Sequence, residues 1–175
     1  METKRRIART VMCAAVAILV GLGLMSGPSA SAATKTVRDE RADAPAKIDI
    51  VKATYINGPK RLRARVTVRN LARRGVLRFH VTQYATDEGF AALVRYRQGR
   101  AKGRLFHTYV DRDRPVKCHV SARWNARRDR VRVSFPRRCL SKHYRRDQRN
   151  YLGAAMLLGN WRKYDYAPYK HVRHG

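Results

Sequence analysis

The chain has 175 residues, one domain's worth, which excludes a large multidomain architecture. Lysine and arginine outnumber aspartate and glutamate 40 to 12, a formal charge of +28 at pH 7. A domain this basic repels itself and collects anions, so its composition favours an anionic partner.

Residues 1–32 are predicted to be a secretory signal peptide that is cleaved after Ala32. A basic start (Lys4, Arg5, Arg6, Arg9) precedes residues 11–25, which carry no charge and fall short of the roughly 20 apolar residues that span a bilayer. Gly27 and Pro28 break this run, and Ala30-Ser31-Ala32 has the small-x-small pattern of a cleavage site. The prediction is therefore a secreted, extracellular protein with no stable membrane insertion after cleavage.

Two alternatives to this export route stay open. The first is a signal anchor that is not cleaved. The second is the twin-arginine route suggested by Arg5-Arg6, although Ala8 lies where that motif requires a bulky apolar residue. The general secretory route is favoured, and Cys13 would leave with the peptide.

Residues 33–46 have no hydrophobic periodicity and are predicted to form a flexible leader. Residues 47–175 are predicted to form the folded domain. After cleavage the chain keeps 36 of its 40 basic residues and 11 of its 12 acids, a formal charge of +25.

Strands are predicted over residues 48–55, 62–68, 76–84, 92–97 and 104–110, from runs in which apolar and polar residues alternate. Asn57-Gly58 is a strong turn signal, and residues 87–89 and 99–103 read as breaks. Residues 151–158 are apolar throughout, and a strand is favoured there over a short helix. The pattern predicts an all-β fold, an antiparallel β-sandwich of about 7–8 strands with one disulfide.

The disulfide is predicted between Cys118 and Cys139, since two cysteines remain in an exported chain. One strand is read from the shared parity of Val116, Cys118, Val120, Ala122 and Trp124. A hairpin that turns at residues 128–129 then places Trp124 opposite Val133 and the two cysteines opposite each other. Two cysteines alone offer too few ligands for a metal site.

The cysteine block carries a resemblance to a known group of proteins. Val116-Lys117-Cys118, Asp129 and the run V-R-V-S-F-P-R-R-C-L at residues 131–140 resemble uncharacterised exported actinobacterial proteins. The similarity extends from about Ile48 to Asp165-Tyr166-Ala167-Pro168. The resemblance implies secretion and an all-β fold, and it implies no activity.

Motifs for catalysis are scarce, so no catalytic residue, metal ligand or cofactor is predicted. The six histidines lack metal-ligand spacing, and the chain has no glycine-rich phosphate loop or nucleophile elbow. His80 and His119 fall on the polar phase of their strands and are expected at the solvated surface. Asp87-Glu88 and Asp111-Arg112-Asp113 allow calcium binding, although ordinary turn chemistry is favoured.

The first candidate binding surface is an arginine ladder, predicted on one strand and formed by Arg61, Arg63, Arg65 and Arg69. Alternate residues of a strand lie about 6.8 Å apart on one face, close to the spacing of phosphates along an extended polyanion. The alternative interpretation is an ordinary solvated face.

The second candidate is an aromatic and basic tail near the C-terminus, formed by Trp161, Arg162, Lys163, Tyr164, Tyr166 and Tyr169. Aromatic rings between cations stack bases or sugars while the cations hold phosphates. The alternative is a tail that packs back over the sandwich.

The favoured function is that of a secreted, non-enzymatic binder of anionic polymers, either cell-envelope polymers, anionic glycans or nucleic acid. The alternatives are a secreted hydrolase with a site built from loops, and a protein-binding or inhibitory module. A compositional explanation also stays open, because GC-rich coding produces the excess of 30 arginines over 10 lysines without any binding function.

Overall fold

The computed structural model describes residues 32–83, 88–109, 112–146, 150–158 and 163–175. The predicted signal peptide, apart from Ala32, lies outside these residues. Two antiparallel sheets pack face to face around one hydrophobic core, which confirms the predicted β-sandwich.

The first sheet has five strands in the order β1-β2-β3-β9-β8, and the second has six in the order β11-β10-β4-β5-β6-β7. The strands are β1 Ala33–Arg38, β2 Ile50–Asn57, β3 Arg61–Val68, β4 Gly75–Gln83, β5 Gly89–Arg97, β6 Arg100–Tyr109, β7 Arg112–Val116, β8 Ser121–Asn125, β9 Arg130–Pro136, β10 Asn150–Leu158 and β11 Lys163–His171. One short helix, α1, covers Lys142–Arg146. No helix in the described part of the chain is long and apolar enough to cross a membrane.

Alternation along the strands builds the core, as β3 shows. Leu62, Ala64 and Val66 of β3 are buried, whereas Arg63 and Arg65 between them are exposed. Burying a side chain as large as leucine or valine contributes about 1.5–3 kcal/mol. Burial of one face of β3 therefore fixes the direction in which its arginines point.

Aromatic side chains join the two sheets at the centre of the core. Phe79 of β4 stacks on Tyr55 of β2 at 6.3 Å between ring centroids and lies 5.9 Å from Phe135 of β9. Elsewhere Trp124 of β8 stacks on Tyr96 of β5 at 5.4 Å, and its indole N–H donates to the carbonyl of Ala72 at 2.8 Å.

The predicted disulfide is confirmed, with a Cα–Cα distance of 6.0 Å between Cys118 and Cys139. The predicted hairpin register is wrong by two residues, because Trp124 pairs with Val131 rather than Val133. A shift of two keeps every side chain on its predicted face. The cysteines still meet because both lie outside the ladder, Cys118 before β8 and Cys139 in a 3-10 turn after β9.

The single strand predicted from Val116 to Trp124 is also wrong. β7 ends at Val116 in the six-stranded sheet, and β8 begins at Ser121 in the five-stranded sheet. Residues 117–120 cross between the sheets. Val120 packs so closely on Gly103 that a Cβ atom added to Gly103 would lie 2.6 Å from the Val120 side chain. Apolar parity continues through this crossing, so a sequence pattern alone reads it as one strand.

The described residues form eleven strands rather than 7–8. The additions are β1 in the predicted leader, β11 in the predicted tail, and the division of one predicted strand into β7 and β8. The expectation of a flexible leader is wrong for Ala33–Arg38, which forms β1 and pairs with β2. The predicted break at residues 99–103 is mostly strand β6, since the chain reverses in a two-residue turn at Gln98 and Gly99, both with positive φ. The strand prediction for residues 151–158 is confirmed as β10.

Candidate polyanion-binding surface

The four residues of the predicted arginine ladder differ in their exposure and in their partners. Arg63 and Arg65 are exposed on the outer face of the five-stranded sheet. Arg61 lies on the same face, where its Nε and Nη2 donate to the hydroxyl of Ser134 at 3.0 and 2.8 Å. Arg69 follows the end of β3 and pairs with Asp49 at 2.9 Å. Only Arg63 and Arg65 of the predicted ladder are therefore exposed and without such a tether.

Strand pairing brings further arginines beside them. In the register of β3, β9 and β8, Arg65 lies opposite Arg132, and Arg132 lies opposite Arg123. Neighbouring strands are about 4.8 Å apart, so the three guanidinium groups start from adjacent backbone positions across the sheet. We call this surface the arginine face; it comprises Arg63, Arg65, Arg123, Arg128, Arg130 and Arg132.

Mutual repulsion is the main electrostatic feature of the arginine face. The pKa of the Arg132 guanidinium is lowered from its ordinary value, chiefly by the charge of Arg65; desolvation and the charges of Arg130, Arg123 and Arg128 add to the effect. In the described ranges, the ion pairs of aspartate and glutamate are with Arg69, Arg78 and His107, and none involves the arginine face. Among the residues that the structure describes, no aspartate or glutamate therefore forms an ion pair with an arginine of this face.

A concavity of about 450 Å³ opens between the arginines of this face. Its walls include Arg63, Arg65, Arg123 and Arg132, together with the polar side chains of Ser121 and Ser134. Guanidinium groups bind phosphate, sulfate or carboxylate through paired N–H donors, and hydroxyl groups add further donors. The concavity therefore has the chemistry of an anion-binding surface.

The predicted aromatic and basic tail is strand β11, at the edge of the six-stranded sheet. Trp161 and Arg162 lie outside the described residues, as does the side chain of Lys163. Tyr164, Tyr166 and Tyr169 are 55%, 49% and 40% exposed, the rings of Tyr164 and Tyr166 being 5.1 Å apart. The tail is thus a paired strand with an exposed aromatic face.

Tyr169 is the most enclosed of the three tyrosines. Its ring packs over Gly153, where an added Cβ would lie only 2.7 Å from it, and stands 5.8 Å from the ring of His80. Burial raises the pKa of Tyr169 to about 12. Pro168, which lacks an N–H, is tolerated here because β11 is an edge strand.

The two histidines predicted at the solvated surface differ. His119 is exposed, as expected. The expectation is wrong for His80, whose ring is partly covered by Tyr169 and whose pKa is lowered to about 4, first by burial and then by the charge of Arg78. The ring of Tyr169 comes from a distant strand, so alternation along β4 gives no sign of it.

The acidic clusters considered for calcium form local ion pairs where the structure describes them. Asp113 pairs with Arg78 at 3.2 Å, and Glu88 with His107 at 2.6 Å. Asp87 and Asp111 lie outside the described residues.

Sequence reasoning missed a cluster of three carboxylates, because two of its members lie in the predicted leader. Oxygen atoms of Asp39, Asp43 and Asp165 lie within 4.8 Å of one another. The carboxylate of Asp165 is held in place by backbone hydrogen bonds, since its oxygens accept the N–H groups of Ile50 at 2.5 Å and Tyr166 at 2.8 Å. Its buried position raises its pKa, and burial also raises the pKa of Asp39 to about 6, with the charge of Asp165 adding to the shift.

Comparison with models of known protein families, with curated proteins and with solved structures gives no significant match to this chain.

Proposed function

We propose that this protein is secreted and binds anionic polymers through the arginine face. The observation that supports the proposal is Arg132, a cation surrounded by Arg65, Arg123, Arg128 and Arg130 and paired with no acid of the described residues. Like charges at such positions destabilise a sheet when they lie directly opposite each other. A bound polyanion neutralises these charges, so the removal of their mutual repulsion adds to the affinity.

A compositional origin explains how many arginines the chain has. It gives no reason why several of them gather on one sheet face while the aspartates that form ion pairs with arginine lie elsewhere. Asp49 and Asp113 pair with Arg69 and Arg78, away from the arginine face. Polymers with phosphate, sulfate or carboxylate groups, such as cell-envelope polymers, anionic glycans and nucleic acid, share the chemistry that this face recognises. The disulfide is compatible with export, because such bonds persist in oxidising compartments.

The test is the salt dependence of binding to duplex DNA, a regular polyanion. For B-DNA, log K falls with log salt at a slope of about −0.9 for each phosphate neutralised. Replacing Arg65 and Arg132 by glutamine is expected to weaken binding and to make the slope shallower by about two units. Both side chains are exposed, so the fold should survive.

The matched control replaces Arg138 and Arg173, two exposed arginines outside the arginine face, by glutamine. This variant has the same net charge as the first, and its slope should stay close to that of the original protein. Equal losses in both variants would mean that the charge acts diffusely, and no loss in either would leave the compositional explanation.

A further inference from the structure

The outer face of the six-stranded sheet, on the side of the sandwich away from the arginine face, carries two cross-strand rows. Strand register fixes the rows as Tyr164, Leu157, Val76, Arg95, Lys102 and as Tyr166, Ala155, Arg78, Leu93, Arg104. Each row begins with a tyrosine on β11 and ends with a cation on β6. The face therefore has an aromatic edge and a cationic edge.

The aromatic edge is exposed and well supported. Tyr164 and Tyr166 are 55% and 49% exposed, and their rings meet edge to face at 5.1 Å. The neighbouring positions on β10 are Leu157 and Ala155, which are only 6% and 2% exposed. The tyrosines therefore lie beside apolar side chains that are tightly packed. Exposed aromatic rings of this kind offer flat surfaces on which the ring of a ligand can stack.

The cationic edge begins three strands away. Arg95, Lys102 and Arg104 are exposed, and none of them enters an ion pair within the described ranges. At about 4.8 Å per strand, Tyr164 and Arg95 are about 14 Å apart at the backbone. Arg78 lies between the edges and pairs with Asp113. Arg162 and the side chain of Lys163, which directly precede Tyr164, lie outside the described residues. Lys170 and Arg173, which follow the tyrosines, line a different cavity, against β1. Among the described side chains, the unpaired cations of this face therefore stand apart from Tyr164 and Tyr166.

From this separation we infer that the outer face of the six-stranded sheet binds single-stranded nucleic acid. Unpaired bases present flat faces that stack on aromatic side chains, while the phosphates lie apart from them on the other side of the sugar. An anionic glycan carries its sulfate or carboxylate groups directly on its sugar rings. If those rings stacked on the tyrosines, the glycan would therefore need cations beside them. A duplex hides the faces of its bases. This surface is separate from the arginine face, and the inference does not rest on the proposal made for that face.

The test compares four probes against the full mature chain: oligo(dT), duplex DNA, a sulfated glycan and inorganic polyphosphate, which has charges but no rings. Stacking accounts for roughly fivefold or more in affinity for each base. Replacing Tyr164 and Tyr166 by alanine should therefore weaken oligo(dT) binding by about thirtyfold and leave polyphosphate binding unchanged. Replacing both by phenylalanine, which keeps the rings, should retain the original affinity.

Two controls distinguish this surface from general effects. Tyr109 is 60% exposed on β6 outside both rows, so Tyr109→Ala should leave oligo(dT) binding intact. The arginine-face variant that lacks Arg65 and Arg132 should lose polyphosphate affinity, whereas the tyrosine variant should not. Replacing Arg95 and Lys102 by glutamine should make the salt slope for oligo(dT) shallower by about 1.4, two contacts at about −0.7 each.

Four results would overturn the inference. They are an unchanged oligo(dT) affinity in the alanine variant, an equal loss in Tyr109→Ala, an equal loss of oligo(dT) and polyphosphate, and a larger loss for a sulfated glycan than for oligo(dT). Urea unfolding of each variant identifies a change in stability, and the phenylalanine variant keeps the test decisive if alanine disturbs β11.

Discussion

Replacing Arg69 by glutamine is expected to destabilise the fold, although Arg69 belongs to the same sequence run as the exposed Arg63. Nε of Arg69 lies 2.9 Å from Oδ2 of Asp49, whose side chain is fully buried. The same oxygen accepts the N–H of Ala42 at 3.0 Å. Removing the cation therefore leaves a buried carboxylate with one neutral donor.

The expected loss is about 2 kcal/mol in the free energy of unfolding. Breaking a fully buried ion pair by removing one partner costs about 3–5 kcal/mol. Here the Arg69 side chain is 40% exposed, so water screens the pair and the cost is smaller. The backbone hydrogen bond from Arg69 N–H to the carbonyl of Asp49, at 2.8 Å, survives the substitution.

Urea unfolding monitored by tryptophan fluorescence measures this loss, with Arg63→Gln as the control. Arg63 is exposed and should cost less than about 0.5 kcal/mol. In an Asp49→Asn background the buried partner of Arg69 is no longer a carboxylate, so Arg69→Gln should then also cost less than about 0.5 kcal/mol. Equal losses for Arg63→Gln and Arg69→Gln, or the same loss from Arg69→Gln in the Asp49→Asn background as in the original protein, would refute the reasoning.

The disulfide, the carboxylate cluster and the N-terminus each give a further prediction. Replacing Cys118 and Cys139 by alanine opens a loop with a sequence separation of 21 and should cost about 3 kcal/mol by chain entropy, measured by urea unfolding; a loss below about 1 kcal/mol would contradict it. The pKa of Asp39 is raised to about 6, so its contribution to stability is present below its ordinary value of 3.8 and is lost as the pH rises through 6. Asp39→Asn should therefore be more stable than the original protein at pH 7.5 and equal to it near pH 3.5 in thermal unfolding, and equality at both would count against the raised pKa. Mass spectrometry of exported protein should find Ala33 at the N-terminus, and a full-length species retained in the membrane would contradict the signal peptide.

The local pattern of the sequence was sufficient for the sandwich class and the disulfide. In β3 and β9, buried residues alternate with arginines, and period-two alternation specifies which side chains share a face whatever the neighbouring strand is. Even the two-residue error in the β8–β9 register left Cys118 and Cys139 close enough to bond. Features set by neighbours in sequence were therefore predictable.

The arginine face and the two rows of the opposite sheet were decided by tertiary structure. Arg65 and Arg132 come together only because β3 pairs with β9, and Tyr164 shares a row with Arg95 only because β10 and β4 lie between them. The same long-range packing gave Arg69 a buried partner and covered His80 with Tyr169. Alternation shows which way a side chain points, but the choice of partner strand depends on how whole sheet faces fit together in the core. That complementarity is a property of residues far apart in the chain and leaves no periodic signal in any one segment.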